Sequence, residues 1–253
     1  MSTLLLRFAA PMQAWGADSK FEERRTQREP TKSGVIGFLA AALGYHRDED
    51  DKIRGLAKLS FGVRLDQPGV LLRDYHIAKP EGKNAYTSNR YYLADAIFLI
   101  GLESDDEELL DRLEDAIKSP AFPLFLGRRS CPPSGRIVIG KRDLALRDAL
   151  DPRNEPWLAS EWYKEKQDKS LKLTVVCDSD HPTGLYRRDT PISFSPEHRK
   201  YAFRHIKDEV EGVTISNPAS RKSRNTAHSA MEALDQTEKS ALDTENDDVS
   251  ISD

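Results

Sequence analysis

The sequence is poor in cysteine and contains no long apolar run. Its 253 residues include two cysteines, Cys131 and Cys177, which are too few for the disulfide framework of a small secreted protein. The apolar run at 4–6 ends at Arg7, so it is shorter than the apolar part of an export signal or a membrane span. We therefore expect a soluble, cytoplasmic protein that does not associate with a membrane.

Motifs for common metal and nucleotide chemistry are also missing. The sequence contains no HExxH, no paired CxxC, no Gly-rich phosphate loop ending in Gly-Lys-Ser/Thr and no GxSxG. Its six histidines are scattered, without the spacing of zinc ligands. We therefore expect no metal and no cofactor. Tyr45, His46 and His76 are the candidates for acid–base chemistry, although a structural role or plain exposure is the commoner use of such residues.

Negative charge is concentrated at the C-terminal end. The net charge is -4, but residues 232–253 carry eight acidic side chains against Lys239. The remaining residues carry 37 Lys and Arg against 34 Asp and Glu, so they are mildly basic. The C-terminal segment has few large apolar residues to offset its ordering entropy, and we predict a disordered acidic tail over 216–253. It is either a solvated tail without a role or a segment that mimics RNA or binds a partner.

The first 145 residues alternate between strand and helix patterns. Strand patterns occur at 3–9, 59–65, 71–77, 91–102 and 136–141. One helix is predicted to begin at 31–33 and another at the capping box 104–107. This order is that of the split βαβ pattern. We therefore predict an α+β protein with a ferredoxin-like, RRM-like N-terminal domain over 1–145.

The helical signal weakens beyond residue 146. The Asp-Pro and Glu-Pro pairs within 151–156 are typical of a linker, and strand patterns follow at 171–178, 190–194 and 201–210. We predict a small antiparallel β region over 146–215, packed against the first domain.

Basic residues cluster in the loop that leads into the first predicted helix. They are Lys20, Arg24, Arg25, Arg28 and Lys32. The free N–H groups at a helix start with small residues can bind a phosphate, which makes Thr31, Ser33 and Gly34 candidates as well. Acidic residues at 22, 23 and 29 partly cancel this charge, so a solvated charged surface is an equal alternative.

Two further stretches have residue types that suit RNA. The Gly-Arg-Arg-Ser turn at 127–130 offers Arg128, Arg129 and Ser130 to phosphates or base planes, although surface arginine pairs are common. Trp15 follows the first strand and could stack on a base, while anchoring a loop in the core is the commoner role of a large aromatic residue.

A polar stretch at 79–90 separates two strong strand patterns. It carries Lys79, Lys83, Tyr86 and Arg90. We predict a protruding hairpin with a basic, aromatic tip, and a mobile loop is the alternative.

Four motifs, taken in order, resemble a known family. They are Leu-Arg-Phe-Ala-Ala-Pro-Met-Gln-Ala-Trp-Gly at 6–16, Pro-Thr-Lys-Ser-Gly-Val-Ile-Gly at 30–37, Leu-Arg-Asp-Tyr-His at 72–76 and Leu-Gly-Arg-Arg-Ser-Cys-Pro at 126–132. Together they are similar to the CRISPR-associated protein five family, in its type I-E Cascade branch. The weaker strand patterns extend the resemblance to about residue 210, and the acidic tail lies outside it.

The resemblance implies an RNA-binding subunit that is not an enzyme. In that family the ferredoxin-like domain is of the repeat-associated RNA-binding type. The subunit binds the 5′ handle of the crRNA beside the large subunit and the backbone subunit, and helps to assemble the complex that targets viral DNA, so that target DNA is an indirect partner. A hairpin called the thumb presses on the guide, and by position it corresponds to residues 77–91 here.

The motifs and the basic stretches together define the residues that we expect to bind RNA. They are Gln13, Trp15, Lys20, Arg24, Arg25, Arg28, Thr31, Lys32, Ser33, Gly34, Arg73, His76, Lys83, Arg90, Arg128, Arg129 and Ser130.

The resemblance also raises an enzymatic alternative. A related branch, in type I-C systems, cuts CRISPR repeat RNA without metal, using a tyrosine, a lysine and a histidine. Tyr45 falls where that tyrosine would lie, but no adjacent Lys-His pair occurs on the thumb side. A metal-independent endonuclease that processes repeat RNA is therefore the alternative, and the incomplete set favours no nuclease activity. A stand-alone RNA-binding or ribosome-associated protein of similar fold is a third reading.

Overall fold

The structure is a computed structural model that describes residues 1–16, 23–79, 81–82, 84–179 and 185–222, with the backbone alone at 208–211. The predictions for Lys20, for Lys83 and for the acidic segment beyond residue 222 lie outside the described residues. Residues 216–222, which we included in the tail, are ordered: the Asn217 amide donates to the carbonyl oxygens of Lys164 and Asp168.

The described chain alternates strands with short helices. The strands are β1 (Ser2–Ala9), β2 (Met12–Gln13), β3 (Glu23–Arg24), β4 (Ser60–Gln67), β5 (Val70–Ala78), β6 (Tyr86–Ala94), β7 (Ile97–Ser104), β8 (Val138–Arg142), β9 (Ser170–Asp178), β10 (Leu185–Ser193) and β11 (Lys200–Ser216). The helices are α1 (Lys32–Ala42), α2 (Asp50–Ala57), α3 (Glu107–Lys118), α4 (Leu146–Ala149) and α5 (Glu161–Lys166). None of these helices is long and apolar enough to cross a membrane.

The strands form two sheets. A seven-stranded sheet has the order β10-β11-β9-β4-β7-β1-β8, and every neighbouring pair in it is antiparallel. In the second sheet β6 pairs with β2 and β5 in antiparallel fashion and with β3 in parallel fashion. The predicted α+β class is therefore confirmed, with a mostly antiparallel sheet.

The first strand is buried on both of its faces. Leu4 and Leu6 pack in the main core with α1, α2 and α3, whereas Leu5 faces a second core that includes Leu146 and Leu150. A strand covered on both faces needs a continuous apolar run rather than an alternating one. The run at 4–6 is therefore a feature of the double-sided core.

The strongest strand pattern, at 91–102, is not one strand. Asp95 has a φ of 56°, a left-handed conformation that aspartate tolerates better than most residues. The chain turns there and passes from β6 in the second sheet to β7 in the first. Both strands have buried apolar residues next to this turn. The apolar pattern of the sequence therefore continues across the turn and does not reveal it.

The stretch at 151–156, which we interpreted as a linker, is packed against a buried arginine. The Arg64 side chain is fully buried, and its guanidinium donates to both carboxylate oxygens of Asp66 at 2.6 and 2.9 Å. It also donates to the carbonyl oxygens of Leu150, Glu155 and Pro156. Arg64 therefore fastens this stretch to β4, and the linker interpretation is wrong.

The region after residue 146 joins the same sheet as the N-terminal strands. Gly62 lies opposite Cys177, and Arg64 lies opposite Val175, in the pairing of β4 with β9. The strands that we assigned to a small β region thus extend the seven-stranded sheet, and how the chain divides into domains stays a prediction.

Replacing Arg64 with alanine is expected to lower the free energy of unfolding by about 3–5 kcal/mol, because the Asp66 carboxylate would stay buried without its partner. Urea unfolding followed by circular dichroism measures the loss. The control is Arg54→Ala, which removes an exposed arginine paired with Asp51 and should cost less than about 1 kcal/mol. Equal losses for the two variants would contradict the role assigned to Arg64.

Candidate RNA interface

The N-terminus of α1 is already occupied by a carboxylate of the same chain. Thr31 is the N-cap, and its hydroxyl oxygen accepts a hydrogen bond from the Gly34 N–H at 3.2 Å. The N–H of Lys32 donates to the Asp189 carboxylate at 2.9 Å. This carboxylate interacts with the positive end of the helix, where we had expected a phosphate.

Lys32 itself is buried rather than displayed to solvent. Its side chain is 7% exposed, and its ammonium group lies 2.8 Å from the carboxylate of Asp178. Asp178 and Asp189 are in turn both bound by Arg204. The charge of Lys32 is therefore neutralised inside the fold, and its predicted contact with RNA does not agree with this position.

Trp15 and Gln13 are buried as well. The Trp15 ring stacks parallel to Phe8 with 5.8 Å between ring centroids, and its indole N–H donates to the Gln13 side chain at 3.2 Å. The Gln13 amide donates to the Ala96 carbonyl oxygen at 2.7 Å. A Cβ on Gly34 would lie 2.9 Å from the indole ring. Trp15 therefore anchors its loop in the core, which was the alternative to stacking on a base. Gly34 has no side chain and leaves space for the indole ring.

Three of the predicted arginines do come together, although they are far apart in the sequence. The parallel pairing of β3 with β6 places Arg24 opposite Arg90. Arg128 donates to the Arg24 carbonyl oxygen at 2.9 Å, and its guanidinium lies 4.5 Å from the centre of the Tyr92 ring. The loop before α1, the hairpin and the 127–130 turn therefore form one basic surface.

The remaining predicted residues of the loop and the turn lie at the protein surface. Arg28, Arg129 and Ser130 are exposed. Arg25 is exposed too, but it is paired with Glu23 at 2.8 Å, as the solvated alternative for this loop predicts. The neighbouring Cys131 is buried, and that burial raises the pKa of its thiol, so the thiol stays protonated at neutral pH.

The predicted thumb is a β-hairpin formed by β5 and β6. Its strands pair from Val70 opposite Ala94 to Ala78 opposite Tyr86. Arg73 donates to the Asn89 side chain across the hairpin, while His76 lies beside Asp74 on the same strand. Large apolar side chains are exposed along the hairpin: Val70, Leu71, Leu72, Tyr75, Ile77 and Tyr86. The hairpin therefore has few contacts with the rest of the described chain to cover these side chains.

A groove of about 1220 Å³ runs along α1. The small residues Thr31, Ser33, Gly34 and Gly37 lie on one side of it, and the 122–132 loop and the aromatic rings of Phe194 and Tyr201 line other parts. Its charged lining consists of Arg47, Asp48, Arg129, Glu197 and Arg199. Arginines beside aromatic rings suit a strand with phosphates on one side and bases on the other.

Sequence reasoning missed most of this groove. Arg47, Phe122 and the pair Arg199 and Tyr201 come from three separate parts of the chain. No local pattern distinguishes these residues from ordinary surface residues, so only the fold reveals that they share a groove.

Among the described residues, the polar contacts of the Tyr45 side chain are with two cations. Its hydroxyl oxygen accepts from Arg112 at 3.3 Å, and the ammonium of Lys52 lies 4.8 Å from its ring centre. His46 packs edge-on against Phe122, and His76 is on the hairpin. Over the described ranges, no group of three or more His, Cys, Asp and Glu side chains could hold a metal ion.

The 127–130 turn depends on a glycine, which gives a direct test of its geometry. Gly127 has a φ of 87°, and a Cβ there would lie 1.7 Å from the Ala14 carbonyl oxygen. Gly82 has a φ of 71° with open space around it. Gly82→Ala should therefore cost about 1 kcal/mol from backbone strain alone, and Gly127→Ala clearly more, measured by urea unfolding. Equal costs would mean that the turn does not pack against Ala14.

Comparisons with known proteins identify the family of the chain. Residues 3–207 match the CRISPR-associated protein (Cas5) family. The chain is 35% identical over 158 residues to CRISPR system Cascade subunit CasD of Escherichia coli (strain K12), an alignment that covers 55% of this chain and 70% of that protein.

Two solved structures share the fold. A structure described as a CRISPR RNA-guided surveillance complex contains a chain with a TM-score of 0.67 and 28% identity, covering 88% of this chain and 95% of that one. A crystal structure of a Cas protein has a TM-score of 0.64 and 36% identity, covering 87% and 98%. The family match spans most of the sequence, and the chain therefore belongs to the CRISPR-associated protein (Cas5) family.

Proposed function

We propose that this chain is a non-catalytic subunit of the type I-E Cascade complex that binds the 5′ handle of the crRNA. Its partners are the crRNA, the large subunit and the backbone subunit, and it contacts the target DNA only through the complex, in the cytoplasm. The names of its relatives, a Cascade subunit and an RNA-guided surveillance complex, support this assignment. The observation that carries it is the groove along α1 with its arginines and aromatic rings.

The strand order supports a ferredoxin-like N-terminal domain. Within the large sheet the strands that we assign to this domain lie in the order β8-β1-β7-β4, all antiparallel. Counted along the sequence among these four strands alone, β8 is the fourth, β1 the first, β7 the third and β4 the second. Helices α1 and α3 occupy the two helix positions. That is the connection pattern of the split βαβ unit. We assign the domain to 1–145, with β9–β11 as an extension of its sheet.

The 127–130 turn connects the groove to the hairpin. Arg129 lines the groove, while its neighbour Arg128 bonds to the backbone of Arg24. Arg24 is paired with Arg90 at the hairpin. A guide strand that lies in the groove could therefore continue along these arginines onto β5 and β6. Phosphate contacts of this kind position an RNA without reading its sequence.

The chain acts as a subunit of the complex and not as an enzyme, as the role of its relatives indicates. The described contacts of the Tyr45 side chain agree, because its hydroxyl accepts from Arg112 and its ring lies beside the ammonium of Lys52. Neither cation can accept the proton that a phenol or a ribose hydroxyl would have to lose. In the part of the chain that the structure describes, the endonuclease alternative therefore has no general base hydrogen-bonded to Tyr45.

The double variant Arg129→Glu with Arg199→Glu is expected to reduce the guide RNA recovered with the complex several-fold. Both side chains are exposed and line the groove, so the folded structure should survive the change. Each lost phosphate contact should also make the salt dependence of RNA binding less steep by about 0.7 in log–log slope. Co-expression with the other subunits and a CRISPR array, followed by RNA quantification, measures the first effect.

The matched control is Arg54→Glu with Lys118→Glu, which changes the charge equally at exposed sites on α2 and α3. Guide recovery should stay at the parental level in this variant. A groove variant that retains the guide as well as the control does would show that the groove is not the RNA site. Lys32→Glu cannot serve here, because its buried ion pair with Asp178 makes misfolding the first effect.

A further inference from the structure

The strands β10 and β11 turn one face toward the helices. Asp189 binds the backbone N–H of Lys32 at the start of α1, and Arg187 binds Glu29 in the loop before it. Side chains of consecutive strand residues point to opposite faces of a sheet. The two neighbours of Arg187 on β10 precede the register shift between Arg188 and Thr190, and they therefore lie on the face turned away from α1.

We call this far face the outer face. It carries two aromatic rings and two nitrogen-bearing side chains. Tyr186 lies opposite His205, and Arg188 lies opposite Phe203. Tyr186 is 67% exposed and Phe203 is 64% exposed. The Tyr186 and His205 rings are 4.3 Å apart between centroids, and the Arg188 guanidinium lies 6.0 Å from the centre of the Phe203 ring.

The charge of the outer face is not neutralised locally. Among the residues that the structure describes, Arg188 has no ion pair with a carboxylate, and its contact is the Phe203 ring. Two described acids of this region are bound elsewhere, since Asp189 is bound to Arg204 and Glu29 to Arg187. The outer face therefore presents a positive charge beside exposed aromatic rings.

We propose that the outer face binds single-stranded nucleic acid, as a site separate from the guide RNA groove. Two bases stack on Tyr186 and Phe203, and Arg188 binds the phosphate that follows one of them. Exposed aromatic rings flanked by cations are the common platform for unpaired bases, because every base has a face to stack. The bases of a duplex are already stacked on each other, so the site selects single strands.

Nucleic acid fits this surface better than a protein partner does. The centre of a protein interface is poor in charge, whereas this face carries Arg188, with its guanidinium 6.0 Å from the centre of the Phe203 ring. Among the described residues, the lining of the groove includes Phe194 just after β10 and Tyr201 near the start of β11 but none of the four side chains of the outer face. RNA and DNA offer the same bases and phosphates, and experiment must separate them.

The test uses the full chain and two ten-nucleotide probes, one of RNA carrying 4-thiouridine and one of DNA carrying 5-iododeoxyuridine. After irradiation, mass spectrometry identifies the cross-linked peptides. The expected result is cross-linking to peptides that contain Tyr186 or Phe203, with either probe or both, and the probe that binds with the higher affinity in fluorescence anisotropy identifies the natural ligand. Cross-links confined to other parts of the chain would overturn the proposal.

Variants give a second, independent readout. Tyr186→Ala with Phe203→Ala should weaken probe binding about tenfold or more in fluorescence anisotropy, because two stacking contacts are lost. Trp162→Ala removes an aromatic ring that is also exposed, on α5, and should leave the affinity unchanged. Arg188→Gln should lower the salt slope by about 0.7 while both rings remain. An unchanged affinity in the double variant would overturn the proposal.

The results for the outer face do not depend on whether guide RNA binds in the groove. Arg129→Glu with Arg199→Glu should leave cross-linking at Tyr186 and Phe203 intact, and the outer-face variants should leave guide recovery intact. If the outer-face variants instead lose another subunit from the purified complex and bind the probes normally, the face binds a protein, and the nucleic-acid proposal is wrong.

Discussion

A buried network of four charged side chains at the start of α1 connects the N-terminal part of the fold to its C-terminal strands. Lys32 binds Asp178 on β9, and Arg204 on β11 binds both Asp178 and Asp189. Each partner is needed, because a buried charge that loses its partner is strongly destabilising. The network also has a functional consequence. It occupies the helix N-terminus and Lys32, so the RNA binding that we propose depends on groups farther along the groove.

Several residues of the motifs that resemble the family pack inside the fold and shape the groove. Gly34 leaves space for Trp15, and Gly127 leaves space for the backbone of Ala14. Trp15 in turn packs on Phe8 inside the core. The groove is thus formed by residues of the motifs, while the arginines and aromatic rings that face its interior come largely from outside them.

Local features of the fold could be predicted from the sequence, and long-range ones could not. The cap of α1 and most strands follow from residue type and periodicity, which act over a few neighbouring residues. Lys32 was misplaced because its partners are 146 and 157 positions away, and no local pattern records such contacts. The packing of 151–156 on Arg64 was missed for the same reason. The meeting of Arg24, Arg90 and Arg128 likewise depends on strand pairing that the sequence does not display.

The central claim is that guide RNA lies in the groove along α1, between Arg129 and Arg199. Electron cryomicroscopy of the assembled complex with its crRNA tests this most directly. The account predicts density for the 5′ end of the guide in that groove, with phosphates within hydrogen-bonding distance of both guanidinium groups and the strand continuing toward Arg24 and Arg90. An empty groove, with the guide held against another surface of this subunit, would contradict it.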